Sequence, residues 1–414
     1  KIAREASEIG GKGAEKYLDE LLIFREHAHH HCHKLVEPQS WSNLPEWAKI
    51  SWSERVFTSS EKSPYLLEFG ETGDTLWDSS QIGLFRHGVM HNNVRMTWGK
   101  AFANWIKDPE DAMKTSLNFN NRYALDGRDP SSIAGVMWCF GLFDRSFSPH
   151  NPVMGNVRNR PTEIHQNRID LERYSNWTEK STLDKKLNIG IVGGGISGSF
   201  AAMLLENLGH DVTIWDKGRR ASGRLSSKEV TSDFSIHVGS KSFDSLPKWM
   251  ERYVSEWVRL KLVRMDGNSL VPIKPLSEII KYLNKEVEVN YGCKVTNLEE
   301  RNESVEITVK NQDSINKYQY DRVIVALPIE QAIDICNPLG LEINGVSDST
   351  WVAWGPSDKI DLIPENWESF YHNSGSGVME IRIRNDDIIG GDKLNSRYIV
   401  DFITDKLGVE STNW

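Results

Sequence analysis

Between Leu76 and Asp129 the chain concentrates residues that could move electrons and hold a flat, polar ring system. Trp77, Trp98 and Trp105 are large oxidisable rings, and Trp98 and Trp105, seven positions apart, share one helix face. Arg95 lies one turn before Trp98 on that face, with Met96 to its side. An arginine aimed into a tryptophan-lined cavity needs a counter-charge, because an unpaired buried cation is costly. The Ala124–Pro130 loop offers Asp126 and Asp129, and Asn120 and Asn121 bring amides that can donate to a planar, nitrogen-rich ligand. Spacing alone also fits a tryptophan-rich helical core with a surface turn, and both readings stand at this point.

A second constellation lies further on. Gly193, Gly195 and Gly198 form G-x-G-x-x-G after the apolar run LNIGIVGG and before a helical pattern, the context in which this motif binds dinucleotides. Gly193 permits the tight turn, Gly195 lets a pyrophosphate approach, and Gly198 lets helix pack on strand. The helix N-terminus adds partial positive charge for the phosphates. Asp216 closes the next strand, where an acid binds the adenosine ribose. The His27–His33 cluster has pairs four apart, yet a polar helix end explains it better than a metal site, and no metal is expected.

The elements that must position these residues read as two unlike domains. Residues 1–157 carry helical periodicity, with helices expected over Ala14–Cys32, from Asp78 to Gly88 and over Asn92–Ile106, and another starting at Asp108-Pro109. Gly10, Gly11 and Gly13 are expected to form a turn before the first of these. Residues 158–186 are polar and irregular, a linker with a helical patch. From Leu187 to Trp414 the pattern becomes β-α-β, with further strands at VEVNYG, SVEITVKN and DRVIVALP and an EIIKYL helix between them. A length of 414 residues suits two or three domains with sizeable cores. No apolar run reaches the ~18 residues of a membrane span. The net charge of −9 makes the chain no bulk polycation, so DNA contact would need a local basic patch. Four well-separated cysteines favour a reduced, intracellular setting, although the compartment itself is not legible.

GVMHNNVRMTWGKAFANW, followed by LNFNNRYALDGRDPSSIAGVMWCFG, resembles the flavin domain of DNA photolyases and cryptochromes, above all the class II cyclobutane pyrimidine dimer photolyases. The resemblance runs from about Glu15 to Arg158. It implies an all-α fold around FAD, with Arg95 and Asp126 flanking the flavin's redox-active edge and Asn120 facing its central nitrogen. It implies that Trp98, Trp77 and Trp105 pass electrons to the photoexcited flavin. Glu20 corresponds to the residue that hydrogen-bonds the damaged thymine pair, and Met96 and Trp138 line the lesion pocket. The implied partner is damaged DNA and the implied reaction is light-driven repair. Phe24 stands where the family pattern has tryptophan, and Asn93 where it has tyrosine. The family's antenna and serine-rich phosphate-binding segments would precede residue 1, so the chain reads as truncated there.

Asp216-Lys217-Gly218 and Ala221-Ser222-Gly223-Arg224 resemble the renalase-like branch of FAD-dependent amine oxidases, in which a glycine-arginine turn touches the diphosphate. His237–Ser240 resembles that family's flavin-facing strand. FAD is therefore expected in an α/β Rossmann-type oxidoreductase domain, with NAD(P) the lesser expectation and Arg224 among the cofactor contacts. The family's closing glycine-rich segment would follow Trp414. Three functions remain open: dimer repair fused to an oxidoreductase, a cryptochrome-like photoreceptor without repair, and an oxidoreductase whose helical half is non-catalytic.

Overall fold

The computed structural model describes every residue except 184, 222, 232–233, 245, 346–349, 357–362, 372–377, 385–387, 389–395 and 408–414. Its contacts divide the chain into two compact units. One comprises Lys1–Lys186, Asn207–Gly209 and Pro247–Arg259; the other holds Leu187–Glu206, His210–Leu246 and Leu260–Trp414.

The first unit is helical, and its helices begin and end where local chemistry dictates. Asp74 caps the Thr75–His87 helix by accepting the Trp77 N–H at 3.0 Å, and Gly88 ends it in the left-handed region at φ 70°. Asp108 likewise accepts from the Asp111 N–H at 2.9 Å, with Pro109 opening the Pro109–Tyr123 helix. Asn92–Trp105 forms the helix expected there. The N-terminal region departs from expectation: Gly11 and Gly13 lie inside the Gly11–Asp19 helix, and Gly10 alone separates it from an earlier helix, Ile2–Ile9. The helical path then continues through a π-helical turn, Glu20–Phe24, into Arg25–Lys34. A wide turn of this kind adds a residue without breaking the helix.

The core of this unit is aromatic. Trp52, Trp77, Trp98, Phe102 and Phe140 are all essentially inaccessible. The indole N–H groups of these three tryptophans have partners: Trp52 donates to the Phe140 carbonyl at 2.9 Å, Trp77 to the Trp98 carbonyl at 3.0 Å, and Trp98 to Gln81 Oε1 at 2.9 Å. Truncating any of these rings to alanine costs about 3–5 kcal/mol. The Glu251–Arg259 helix, remote in sequence, belongs here too: Tyr253 packs on Tyr65 and Phe69, with ring centroids 5.9 Å and 6.5 Å apart.

The second unit is built on a parallel sheet in the order 322–325, 188–192, 211–216, 288–291. The central strand, Asn188–Val192, is buried along nearly its whole length, as a strand covered on both faces must be. Ile196–Asn207 is the crossover helix between it and Asp211–Asp216. An antiparallel meander follows through Lys294–Arg301, Ser304–Lys310 and Ile315–Tyr320. A separate antiparallel sheet pairs Val378–Arg384 with both Thr350–Pro356 and Glu368–Tyr371.

Candidate functional site

In the helical unit, Arg95 stands at the centre of a convergent polar cluster. Its guanidinium makes a two-pronged contact with Asp126, Nη1 to Oδ2 at 2.8 Å and Nη2 to Oδ1 at 2.9 Å. Nη2 also donates to Asn120 Oδ1 at 2.9 Å and Ser132 Oγ at 2.8 Å. The Arg95 and Asp126 side chains are 36% and 50% accessible, whereas Asn120 and Ser132 are buried. The pair therefore faces out of the helical core on a fixed polar base. Ser132 locks that base, taking the Asn120 Nδ2 hydrogen at 2.8 Å and donating back to Oδ1 at 3.1 Å. Nothing in the sequence singles out Ser132; one turn past the Asp129-Pro130 helix start, it reads as an ordinary helical serine.

The tryptophans lie behind this cluster. Trp98 and Trp77 are buried, and Trp77 and Trp105 place their ring centroids 4.9 Å apart, with Trp105 half-buried. The acceptors of the two buried indoles, Gln81 Oε1 and a backbone carbonyl, are too weakly basic to take a proton. An oxidised Trp98 or Trp77 thus keeps its N–H and its charge, which can move only as an electron hole.

On the other side, Phe24 and Trp138 pack with centroids 5.1 Å apart and planes inclined by 31°. Both rings are partly accessible, as is Met96. Glu20 sits on the π-helical turn, exposed, with its carboxylate paired to Lys16. Between Ser132 and Trp138, one turn from each, Gly135 faces open space, and a Cβ there would meet no atom within 4 Å. Guanidinium, carboxylate, carboxamide and hydroxyl groups bordering unfilled space fit a planar ring with alternating donors and acceptors, and these residues suit a flavin.

Below Met96, Cys139 is fully buried, with Sγ 3.8 Å from Met96 Sδ, and burial pushes its thiol pKa up to about 11. Lys100 is buried alongside, donating to the Cys139 carbonyl at 3.1 Å, and burial lowers its pKa. Among the described residues no group of three or more potential ligands could hold a metal. His31 instead contacts the Pro38 carbonyl at 3.0 Å and packs on Phe143.

The second unit carries the glycine turn. Gly193 has φ +107°, and a Cβ on it would lie 2.5 Å from the Ala326 carbonyl oxygen. A Cβ on Gly198 would lie 2.0 Å from the Gly193 oxygen, so only glycine allows this approach of helix to turn. Gly195 is different: a Cβ there meets nothing nearer than 4.0 Å, which leaves the space a diphosphate needs. Asp216 accepts the Gly194 and Gly218 N–H groups, each at 2.6 Å, and these fix the carboxylate at the strand end. A cavity of about 760 Å³ is lined by Gly193, Gly195, Asp216 and Arg224, within the usual range of ligand pockets. Ser240 N donates to the Arg224 carbonyl at 2.8 Å, joining the glycine-arginine turn to the His237–Ser240 segment. Ser222, part of the expected turn, lies outside the described residues. Arg382 grips this segment from the far sheet, donating to the His237 and Gly239 carbonyls at 2.9 Å and 2.6 Å.

Comparison with known proteins relates the two parts of the chain to different families. Residues 191–257 match a family described as an NAD(P)-binding Rossmann-like domain, and residues 254–337 match the flavin containing amine oxidoreductases. The N-terminal part is related to curated deoxyribodipyrimidine photo-lyases. That of Oryza sativa subsp. japonica is 31% identical over 181 residues, covering 43% of this chain and 36% of the relative. Those of Arabidopsis thaliana and Methanothermobacter thermautotrophicus are 35% and 37% identical over 159 residues, 38% of this chain and 32% and 35% of theirs. The chain spans about a third of the length of these relatives. A photolyase-like helical region thus precedes an amine-oxidase-like Rossmann domain, and FAD is the cofactor these relationships support. No helix of the described residues is long and apolar enough to cross a membrane.

Proposed function

We infer that the helical unit performs light-driven repair of cyclobutane pyrimidine dimers in DNA, and that the Rossmann-type unit is an FAD-dependent oxidoreductase domain fused to it. The observation that carries this reading is the cluster of Arg95, Asp126, Asn120 and Ser132 in front of the buried tryptophans. FAD supplies, when bound there, an electron donor that blue light makes strongly reducing. Arg95 and Asp126 would hold the polar edge of its ring, and Asn120, immobilised by Ser132, would present its carboxamide to the central nitrogen. Trp98, Trp77 and Trp105 carry electrons inward from the half-exposed end. Phe24 and Trp138 would offer apolar walls to the two linked pyrimidines of one strand when they turn out of the duplex, which costs least for damaged, poorly stacked bases. Glu20 would hydrogen-bond that lesion after exchanging Lys16 for it. In the second unit, Gly195 would take the diphosphate of FAD, Asp216 the ribose and Arg224 the phosphate charge.

The test is direct. The purified protein is reduced, given an oligonucleotide with one thymine dimer and illuminated with blue light, and repaired strands are counted. Light-dependent repair that is lost in Glu20→Ala and Asn120→Ala is expected; absence of repair by flavin-loaded, reduced protein refutes the proposal. The pairing of Glu20 with Lys16, together with Phe24 in place of tryptophan, favours one second reading, a photoreceptor that photoreduces flavin without repair.

A further inference from the structure

Glu68 is a fully buried carboxylate that neither the polar cluster nor the tryptophan series uses. Tyr123 donates its hydroxyl hydrogen to Glu68 Oε1, Arg252 pairs with Oε2, and Arg122 Nη1 lies 3.7 Å from Oε1. The Gln81 amide that receives the Trp98 N–H donates in turn to the Glu68 backbone carbonyl at 3.0 Å. An unbroken series of rings connects the two places. Trp98 and Phe102 are 4.9 Å apart, Phe102 and Phe119 5.7 Å, and Phe119 and Tyr123 6.3 Å. Trp77 joins the same series through Phe102 at 5.4 Å.

We propose that Tyr123 is a second electron donor to the tryptophan wire, with Glu68 as its proton acceptor. An oxidised Trp98 takes one electron from Tyr123 across the intervening rings, and the phenolic proton crosses its existing hydrogen bond to Glu68. The products are neutral Trp98, a neutral tyrosyl radical and a neutral Glu68 carboxylic acid, so one electron and one proton are conserved. The oxidant is a one-electron-oxidised indole, which the proposed photochemistry would generate.

Three observations support the assignment. Phenol oxidation is uphill unless its proton has somewhere to go, and Trp98 and Trp77 lack such an outlet, whereas Tyr123 has a carboxylate already in contact. Burial raises the Glu68 pKa although two guanidiniums oppose it, which makes this carboxylate a better base than an exposed one. Beyond Tyr123 the rings continue, to Phe85 at 5.1 Å, from Phe85 to Phe69 at 5.5 Å, and then to Tyr253 at 6.5 Å. Trp249, 6.4 Å from Tyr253 and half exposed, gives this branch an end at the surface distinct from Trp105.

The inference rests on the wire of the proposed function, yet it can be tested without flavin. Pulse radiolysis of the full chain with azide radical oxidises indoles in preference to phenols. A concentration-independent phase in which indole radical decays as phenoxyl radical grows is expected. That phase should fall severalfold in Tyr123→Phe, which removes only a hydroxyl, and should slow in Glu68→Gln and, for the unaltered protein, in D2O. An unchanged phase in Tyr123→Phe overturns the donor role. If Glu68→Gln fails to fold, the solvent isotope comparison still decides, because equal rates in H2O and D2O overturn coupled proton transfer. Failure of the flavin reading would look different: no blue-light response, with the radiolytic phase intact.

Discussion

Replacing Arg252 by methionine removes a countercharge from Glu68 while keeping much of the packing volume. Glu68 is wholly inaccessible, so its charge would be left with the Tyr123 hydroxyl and with Arg122 at 3.7 Å. Removing one partner of a buried ion pair costs about 3–5 kcal/mol. At an effective dielectric of ~20, the surviving Arg122 contact is worth about 4 kcal/mol of Coulomb attraction, which puts the expected loss near the lower end, about 3 kcal/mol. Amides of the Asn92–Trp105 helix should then exchange with solvent roughly a hundredfold faster at neutral pH, since ~1.4 kcal/mol is tenfold. The pH dependence has a definite sign. Burial raises the folded pKa of Glu68 above its ordinary 4.5, so its contribution to stability is full below that value and is lost as pH rises through the folded value. Without Arg252 the folded value climbs further, so the deficit of the variant should be greatest at neutral pH and shrink on acidification toward 4.5. Adding Glu68→Gln to the variant should restore most of the protection. Exchange that is unchanged at neutral pH, or a deficit that grows in acid, would refute the reasoning.

Other substitutions probe the two sites. Gly198→Ala drives a methyl to 2.0 Å from the Gly193 carbonyl oxygen, so the turn must shift; flavin bound by the Rossmann-type unit, measured as absorbance per chain, should be lost while the helical unit keeps its exchange protection. Trp98→Phe should block photoreduction of oxidised flavin yet leave repair by pre-reduced protein largely intact; equal loss of both would contradict the wire. It should also destabilise the helical unit by about 1–3 kcal/mol, because Gln81 Oε1 loses its buried donor, and chemical denaturation would measure this. Ser132→Ala releases one side of the Asn120 amide, and light-driven repair should fall more than DNA binding does; a proportionate loss of binding would assign Ser132 to the DNA surface instead.

Residues whose roles are set by their neighbours in sequence were the most legible. Asp108-Pro109 and Gly88 mark helix ends because caps act within one turn, and the glycine turn before Ile196 is a local requirement of strand-to-helix geometry. That Arg95 would need an acidic partner was legible from its charge, and Asp126, one of the two acids the loop offered, supplies it; its bond to Asn120 had no signal in the sequence. The pairing of Glu68 with Arg252 could not be read in that way. Glu68 lies in an ordinary five-residue helix and its partner is on a helix far along the chain, so neither has a local signal. Gly11 and Gly13 misled in the opposite sense: glycine lowers helix propensity, but neighbouring helix formers outweighed it.

Cys139 sits at the back of the Arg95 cluster, and a side chain added at Gly99 would reach 2.6 Å from its sulfur. The pocket around the atom is full, and its pKa of about 11 keeps it a thiol. Peroxides and alkylating reagents attack thiolates that they can reach. Reduced flavin in air yields peroxide, and the Cys139 sulfhydryl is denied both the charge and the room to form a sulfenic acid. Sulfur damage would fall first on the partly accessible Cys32 and Cys293.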